Sequence, residues 1–311
     1  MYIRCTIPEG GMAHQNDHVW GIILAAGDGV RLKPYIQSRF NSDCPKQFCV
    51  FTGTRSMLAH TIARVTRYIP IERTVVTITE AHGVYARKDL EHVDNRNIIT
   101  QPSNKETSAS ILLPLLHIMR RDPDAIVVIF PSDHYIREEE RFMEYVRAGT
   151  EFVEHHSKYL LLLGIESESL LQDYGWIETS MKIADIRGSE ILRVKRFMEK
   201  PDAKKAFTVQ RNRTLCNTMV FISLASSMLR KFRLMTPAVF HAFKKIDEAI
   251  SSPHEEEIVH EVYSVLTPVD FSKAILGHDP RGLAVIRIQD VYWNDWGDET
   301  RIRTDLERMK K

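Results

Sequence analysis

Five short stretches carry residue types suited to handling phosphate. The first is Leu24-Ala25-Ala26-Gly27-Asp28-Gly29-Val30-Arg31-Leu32-Lys33-Pro34, directly behind an apolar run. Gly27 and Gly29 let several backbone N–H groups turn into one concavity, which suits a polyphosphate, and Arg31 and Lys33 add positive charge. It is neither a GxxxxGK[ST] loop nor a dinucleotide fingerprint, because Leu32 stands at the third glycine position. A strand-to-helix turn that needs glycine only for its shape reads the same way. The second is Cys44-Pro45-Lys46-Gln47-Phe48, a rigid proline turn that presents a lysine, or else an ordinary solvated charge. The third, Pro131-Ser132-Asp133-His134, follows the apolar run AIVVIF, so Asp133 falls where open α/β sheets place their ligands; a helix N-cap is the alternative.

The fourth stretch, Phe197-Met198-Glu199-Lys200-Pro201, puts Glu199 and Lys200 where a strand must stop before proline, or on a solvated edge strand. The fifth, Trp293-Asn294-Asp295-Trp296-Gly297-Asp298, is a tight polar turn between two of the four tryptophans, which also fits aromatic packing beneath an Asx turn. Other chemistries find less support. The 13 histidines form no HExxH set, and His155 and His156 follow Glu151 and Glu154 on what reads as a solvent-facing helix surface. There is no GxSxG elbow or Cys-centred signature, and Cys5, Cys44, Cys49 and Cys216 include no CxxC pair, so nucleophilic catalysis and a structural zinc site are not expected.

The elements that must position these residues alternate in the first half. VWGIIL (Val19 to Leu24), RTVVTIT from Arg73, NIIT (Asn97 to Thr100) and AIVVIF (Ala125 to Phe130) read as strands. Ser56 to Ile69 and Ser108 to Arg120 read as helices. Apolar runs buried on both faces imply a parallel sheet sandwiched by helices. The second half is less regular. LLLLGI (Leu160 to Ile165), YGWIE (Tyr174 to Glu178) and Ile191 to Pro201 read as strands with few helices between, suggesting an antiparallel or mixed extension. Leu224 to Ile275 turns helical, AVIRIQDVYW returns as strands, and TRIRTDLERMKK reads as a charged terminal helix.

With 311 residues, 43% of them apolar, the chain can bury a real core. No repeat or linker divides it, so the expectation is a poorly structured tail over 1–17 and one catalytic domain over 18–311. A net charge of +1 gives no broad basic field, which argues against nucleic acid or an anionic membrane as main partner. The N-terminus lacks the apolar core of a secretion signal, and no segment approaches the ~18 apolar residues that span a bilayer. A cytoplasmic protein with reduced thiols is expected.

Taken in order, the motifs resemble those of the sugar nucleotidyltransferases, most closely the bacterial mannose-1-phosphate guanylyltransferases. LAAGDGVRLKP resembles that family's LAGGxGTRLxP, and Pro45 to Phe48 matches its PKQF. PSDHYI resembles PADHxI, YGWI resembles YGYI, and Phe197 to Pro201 matches FxEKP. NTMVF at Asn217 to Phe221 resembles NSGMF, and Trp293 to Gly297 matches WxDxG. The likeness runs from about Val19 to Asp298.

The resemblance implies a Rossmann-like nucleotidyltransferase fold with a mixed, mainly parallel sheet. It also implies an enzyme that joins a nucleoside triphosphate to a sugar 1-phosphate and releases pyrophosphate, with GTP and mannose 1-phosphate as the leading pair. Leu24, Ala26, Gly27 and Gly29 would cradle the triphosphate, while Arg31 and Lys46 would offset charge on the α-phosphate and the leaving group. Asp133 and Asp295 would hold Mg²⁺. Lys200 would grip the sugar phosphate, and Glu199, Asn217 and the Gly175 backbone would read sugar hydroxyls. The substrate's own phosphate oxygen is the nucleophile, so no general base is required.

Departures from the pattern open alternatives. The segment Gln101-Pro102-Ser103-Asn104-Lys105-Glu106-Thr107-Ser108-Ala109 stands where guanylyltransferases read EPxGRNTAPA. Its QPS is closer to the thymidylyl- and uridylyltransferases, which makes Gln101 a base contact and Ser108 a further nucleotide contact, and a glucose-1-phosphate enzyme the alternative. Val30 replaces the loop hydroxyl, and with the altered 104–108 segment it motivates a third reading as a nucleotide-sugar-binding regulatory relative that has lost turnover; Met219 replaces the glycine of NSG, which would reshape the sugar pocket. Transfer to a non-sugar phosphate would use the same first half. No isomerase or β-helix unit is expected beyond Asp298, and a homo-oligomer is compatible with everything above.

Overall fold

A computed structural model describes residues 16–166, 173–201 and 214–310. The tail expected over 1–17 and parts of the 166–213 region therefore lie largely outside the described residues. The first half contains β1 (Val19–Leu24), α1 (Lys33–Phe40), α2 (Met57–Val65), β2 (Thr74–Thr79), α3 (Gly83–Ala86), β3 (Ile98–Gln101), α4 (Glu106–Arg121) and β4 (Ile126–Pro131). Then follow β5 (Tyr135–Ile136), α5 (Glu139–His155), β6 (Leu160–Ile165), β7 (Gly175–Ile186), β8 (Ser189–Glu199) and β9 (Thr214–Leu224). The remainder comprises α6 (Ala225–Met235), α7 (Pro237–Ala249), α8 (Glu255–Val265), β10 (Leu283–Ile288), β11 (Trp293–Asn294) and α9 (Glu299–Met309).

Nine strands form one sheet in the order β3-β2-β1-β4-β9-β6-β10-β8-β7. The strands β3, β2, β1 and β4 are mutually parallel, and β9 enters antiparallel between β4 and β6. The start of β7 also pairs with β9, so β9, β6, β10, β8 and β7 close a circuit of hydrogen-bonded strands. This is the mixed extension expected for the second half, and it explains why that half lacked a regular βα rhythm.

The apolar runs are continuous because both faces of each strand are covered. Ile22, Val75, Val127, Ile129 and Leu162 belong to one core, with α4, α6, α7 and α8 over it. Their neighbours Ile23, Val76, Val128, Phe130, Leu161 and Leu163 belong to the opposite core, under α2 and α5. A strand's two-residue alternation sends successive side chains to opposite faces, so apolar residues at every position mean burial on both. Boundaries differ from the expected ones mainly at helix ends. Ser56 lies outside α2 as its N-cap, its side chain accepting from the Ala59 N–H.

Candidate active site

Two turns meet at the carboxyl edge of the parallel strands. Leu24 and Pro131 are register partners at the ends of β1 and β4, and the Ser132 N–H donates to the Leu24 carbonyl. The glycine loop and the Asp133 turn therefore leave the sheet side by side. The two-residue pairing of β11 with β5 sets Trp293 opposite Ile136 and Asn294 opposite Tyr135, which delivers the Asp295 turn to the same place.

Lys46 joins these turns. It is 4% exposed, and its ammonium donates to Asp133 Oδ2 at 3.0 Å and to the Asp295 carbonyl. That excludes the solvated-charge reading of this lysine. Gln47 beside it is buried too, its amide donating to the carbonyls of Ala25 (2.9 Å) and Gly27 (2.8 Å). The PKQF turn is thus a brace beneath the glycine loop. Gly29 sits at φ +57°, a conformation that costs a residue with a Cβ energy, and its added Cβ would lie 3.3 Å from the Lys46 nitrogen. Ala26 is buried in this loop, whereas Gly27 and Arg31 are exposed, and Arg31 makes no ion pair among the described residues.

Burial works against a charged Asp133, yet Lys46 outweighs it and holds its carboxyl below the usual range. The same opposition acts on Asp295, where Lys46 and Arg301 overcome burial. Both carboxylates are therefore ionised at neutral pH. Burial pushes the His134 imidazole down, leaving it neutral. Trp293 Nε1 donates to His134 Nδ1 at 3.2 Å, so the ring proton resides on Nε2, which faces Asp133 Oδ1 at 3.9 Å. Asp133 caps no helix, since β5 rather than a helix follows it.

Asp295 Oδ1 accepts from Arg301 Nη1 (2.8 Å), the Tyr174 hydroxyl (3.0 Å) and the Gly297 N–H (3.0 Å). One oxygen on each aspartate, Asp295 Oδ2 and Asp133 Oδ1, is left outside these bonds. Two ionised carboxylates with one oxygen each to offer suit a hard cation that keeps its waters and takes other ligands from phosphates. No group of three or more His, Cys, Asp or Glu residues that could hold a metal ion occurs among the described residues.

A second cluster lies alongside. Gly175 pairs with Glu199 across β7 and β8, and a Cβ at Gly175 would lie 2.9 Å from Glu199 Oε2 and 3.4 Å from the Asn217 Cβ. Glu199 Oε2 is buried without a hydrogen-bond partner, and its Oε1 lies 3.7 Å from the half-exposed Lys200 ammonium. This is a polar wall rather than the solvated edge of the alternative reading. Tyr174 links the clusters: its carbonyl accepts from the Lys200 N–H at 3.1 Å while its hydroxyl holds Asp295. Lys200, Met219 and Trp296 all sit at positive φ, a conformation costing about 1–2 kcal/mol per residue. Such strain collects at functional sites.

Two expected nucleotide contacts are not in this cluster. Gln101 is fully buried, its amide nitrogen donating to Ser110 Oγ (3.1 Å) and its oxygen accepting from the Tyr263 hydroxyl (2.9 Å), so no edge of it faces a base. Ser108 is also buried, packed against the 269–271 segment through its backbone bond to Val269. Conversely, Arg301 and Asp305 escaped the motif reading, and Tyr174, though it opens the YGWI motif, was given no role in it. Asp305 Oδ2 accepts from Asn294 Nδ2 and Trp296 Nε1, both at 2.8 Å, anchoring the turn from α9. The Asx bonds expected in that turn are present, from the Asn294 side chain to the Trp296 N–H and from Asp295 to the Gly297 N–H. They shape the turn that carries Asp295, so the two readings of it coincide.

A mixed α/β sheet with a glycine loop, a buried lysine and two ionised aspartates at its carboxyl edge defines a Rossmann-like nucleotidyltransferase fold. The chain belongs to the Nucleotidyl transferase family, which it matches over residues 20–303. It is 24% identical over 285 residues to a mannose-1-phosphate guanylyltransferase of Escherichia coli, covering 89% of this chain and 59% of the relative. It is 28% identical over 280 residues to the xanthan biosynthesis protein XanB of Xanthomonas campestris pv. campestris, covering 89% and 57%. The chain thus spans less than three fifths of the length of these curated relatives. The fold is similar to that in the crystal structure of mannose-1-phosphate geranyltransferase from Thermus thermophilus, with a TM-score of 0.79, 22% identity, and coverage of 92% of this chain and 79% of that one. No helix among the described residues is long and apolar enough to cross a membrane.

Proposed function

We propose that this protein transfers a nucleoside monophosphate from a nucleoside triphosphate to a sugar 1-phosphate, releasing pyrophosphate. The observation that carries the reading is the buried Lys46 ammonium tying the Asp133 carboxylate to the Asp295 turn beside the glycine loop. Phosphoryl transfer asks chiefly for positioning and charge neutralisation, and this constellation offers both. A sugar phosphate oxygen attacks the α-phosphorus, the bond to the β-phosphate breaks, and pyrophosphate leaves. Backbone N–H groups of the loop through Gly27 and Gly29 hold the triphosphate, while Arg31, exposed and without an ion pair among the described residues, closes on its charge. Lys46 offsets charge at the α-phosphate. Glu199 and Asn217 receive the sugar, with Lys200 on its phosphate. Asp133 and Asp295 would hold Mg²⁺, which supplies further neutralisation of the phosphates when bound.

GTP with mannose 1-phosphate is the proposed substrate pair. The PKQF, PSDH and WNDWG segments lean that way, as do curated relatives named mannose-1-phosphate guanylyltransferase. The engagement of Gln101 by Ser110 and Tyr263 supports this pair over a pyrimidine nucleotide. The protein is proposed to act in the cytoplasm. The test is a matrix of nucleoside triphosphates against sugar 1-phosphates with Mg²⁺, scored by pyrophosphate release. Failure of every pair would overturn the reaction, and faster turnover of dTTP or UTP with glucose 1-phosphate would overturn only the substrate assignment.

A further inference from the structure

The turn that carries Lys46 is bracketed by two free cysteines, Cys44 and Cys49. Both sulfurs lie 3.6 Å from the same acceptor, the Pro45 carbonyl oxygen, and Cys49 Sγ also lies 3.6 Å from the Cys44 carbonyl. Both thiols thus converge on one oxygen. The neighbouring Cys49 thiol draws the Cys44 thiol down towards its thiolate, while Cys44 and burial together push Cys49 well up. Cys44 is partly exposed, whereas Cys49 is buried. Cys216, the other cysteine among the described residues, is buried on β9.

We propose that Cys44 and Cys49 are an oxidation site that closes to a disulfide within the loop and so draws Lys46 out of its ion pair. The oxidant class is a peroxide. The Cys44 sulfur attacks one peroxide oxygen, the O–O bond breaks, and the leaving hydroxide takes the thiol proton as water, giving a sulfenic acid. The Cys49 sulfur then attacks the Cys44 sulfur, the S–O bond breaks, and the hydroxyl leaves as a second water with the Cys49 proton. Two thiols are oxidised and one hydrogen peroxide is reduced to two waters. Exposure makes Cys44 the attacking residue and its buried neighbour the resolving one.

The turn has little slack to absorb the closure. Two backbone bonds of 3.0 Å, Phe48 N–H to Pro45 and Cys49 N–H to Lys46, already span it. A disulfide holds its sulfurs about 2.05 Å apart, so two thiols that now share the Pro45 carbonyl must both leave it to close on each other. Drawing Cys44 and Cys49 together therefore repacks the residues between them. These are Lys46, pinned between Asp133 and Asp295, and Gln47, which braces the glycine loop.

The experiment treats the full reduced chain with hydrogen peroxide, alkylates the remaining thiols, and maps cross-linked peptides by mass. In parallel it follows acylation of Lys46 by an amine-reactive ester. The expected result is a Cys44–Cys49 linkage with loss of two hydrogens and faster labelling of Lys46, both reversed by dithiothreitol. In Cys49→Ser no linkage forms, and Cys44 proceeds to sulfinic acid without recovery. Absence of the linkage in the wild type, or a linkage that leaves Lys46 labelling unchanged, overturns the proposal. The effect on turnover rests on the proposed transfer reaction. Since a misplacement of about 1 Å can cost on the order of a hundredfold, turnover of the linked protein is expected to fall at least about tenfold. If no substrate pair turns over, the transfer reading fails while the linkage and labelling still decide this one.

Discussion

Arg301 holds Asp295 from the first turn of α9, six residues on: its Nη1 lies 2.8 Å from Asp295 Oδ1 and 3.0 Å from the Tyr174 hydroxyl that donates to the same oxygen. The guanidinium also stacks over the Tyr174 ring, 4.7 Å from its centroid, and pairs with Asp298 at 2.9 Å. One side chain of α9 therefore fixes both the orientation and the charge of a proposed metal ligand. Arg301→Gln is expected to lose a charged hydrogen bond of about 1.5–3 kcal/mol in urea unfolding, and to raise the Mg²⁺ concentration needed for half-maximal turnover. Arg301→Lys should recover charge but not the fork, and so restore only part of the Mg²⁺ response. Unchanged Mg²⁺ dependence in both variants would make Arg301 purely structural.

Asp133→Asn and Asp295→Asn should each lower turnover by at least about a hundredfold, on the order of 2.7 kcal/mol of barrier, while remaining folded. Groups that serve one ion act as a unit, so the double variant should be little worse than either single one. Circular dichroism with single-turnover kinetics checks this, and near-normal Mg²⁺-dependent turnover in Asp295→Asn would contradict the shared-metal assignment.

Lys200→Ala should weaken use of the sugar phosphate more than use of the nucleotide, and Arg31→Ala should instead lower kcat. A charge-assisted contact to phosphate is worth about 1.5–3 kcal/mol when lost. Equal, small changes in every parameter for both variants would return these residues to ordinary surface charges.

Burial, reinforced by Asp270 and opposed by Lys200 and Lys273, pushes the Glu199 carboxyl above its ordinary value. As pH falls, Glu199 takes up its proton earlier than an exposed glutamate with pKa about 4.3, and with it loses acceptor capacity for sugar hydroxyls. The kcat/KM for sugar phosphate should therefore drop on the acid side from a pH above that value. Glu199→Gln imitates the protonated form at every pH. The ratio of wild type to variant should shrink as pH falls, and a flat ratio would remove Glu199 from the sugar subsite.

Met219 adopts φ +60° at the position of the glycine in the resembled NSGMF motif, and its sulfur accepts from Asn217 Nδ2 at 3.3 Å. Met219→Gly should relieve about 1–2 kcal/mol of backbone strain, offset by lost packing. Because Asn217 loses that neighbour, the KM for sugar phosphate should move while the KM for the triphosphate stays put. Steady-state kinetics with each substrate varied decides it.

The parallel half of the fold was legible because its strands are short runs rich in apolar and β-branched residues, and the glycine loop because turn chemistry is local. Only the resemblance put Asp133 and Asp295 on one ion; the residue pattern could not bring them together, since their turns meet through the two-residue pairing of β5 with β11, too short for any periodic signal. Arg301 and Asp305 were hidden in TRIRTDLERMKK, where the pattern of charge looks the same whether a residue faces solvent or a buried turn. Gln101 turns inward for the converse reason. The strand was read as ending at Thr100, one residue short of it, and the partner that holds it, Tyr263, lies 162 residues further along.

The circuit of strands β9, β6, β10, β8 and β7 has a consequence for the order of assembly. β10 inserts between β6 and β8, yet it is made last of the five, nearly a hundred residues after β8 begins. A nascent chain that has not reached Ile288 cannot seat β8 against β6 through their common neighbour. Closure of the circuit must therefore wait, on a ribosome as in a test tube, for contacts of long sequence separation, which close slowly. The glycine loop and the Asp133 turn, built on strands that end by Pro131, can form while that part of the molecule is still being made.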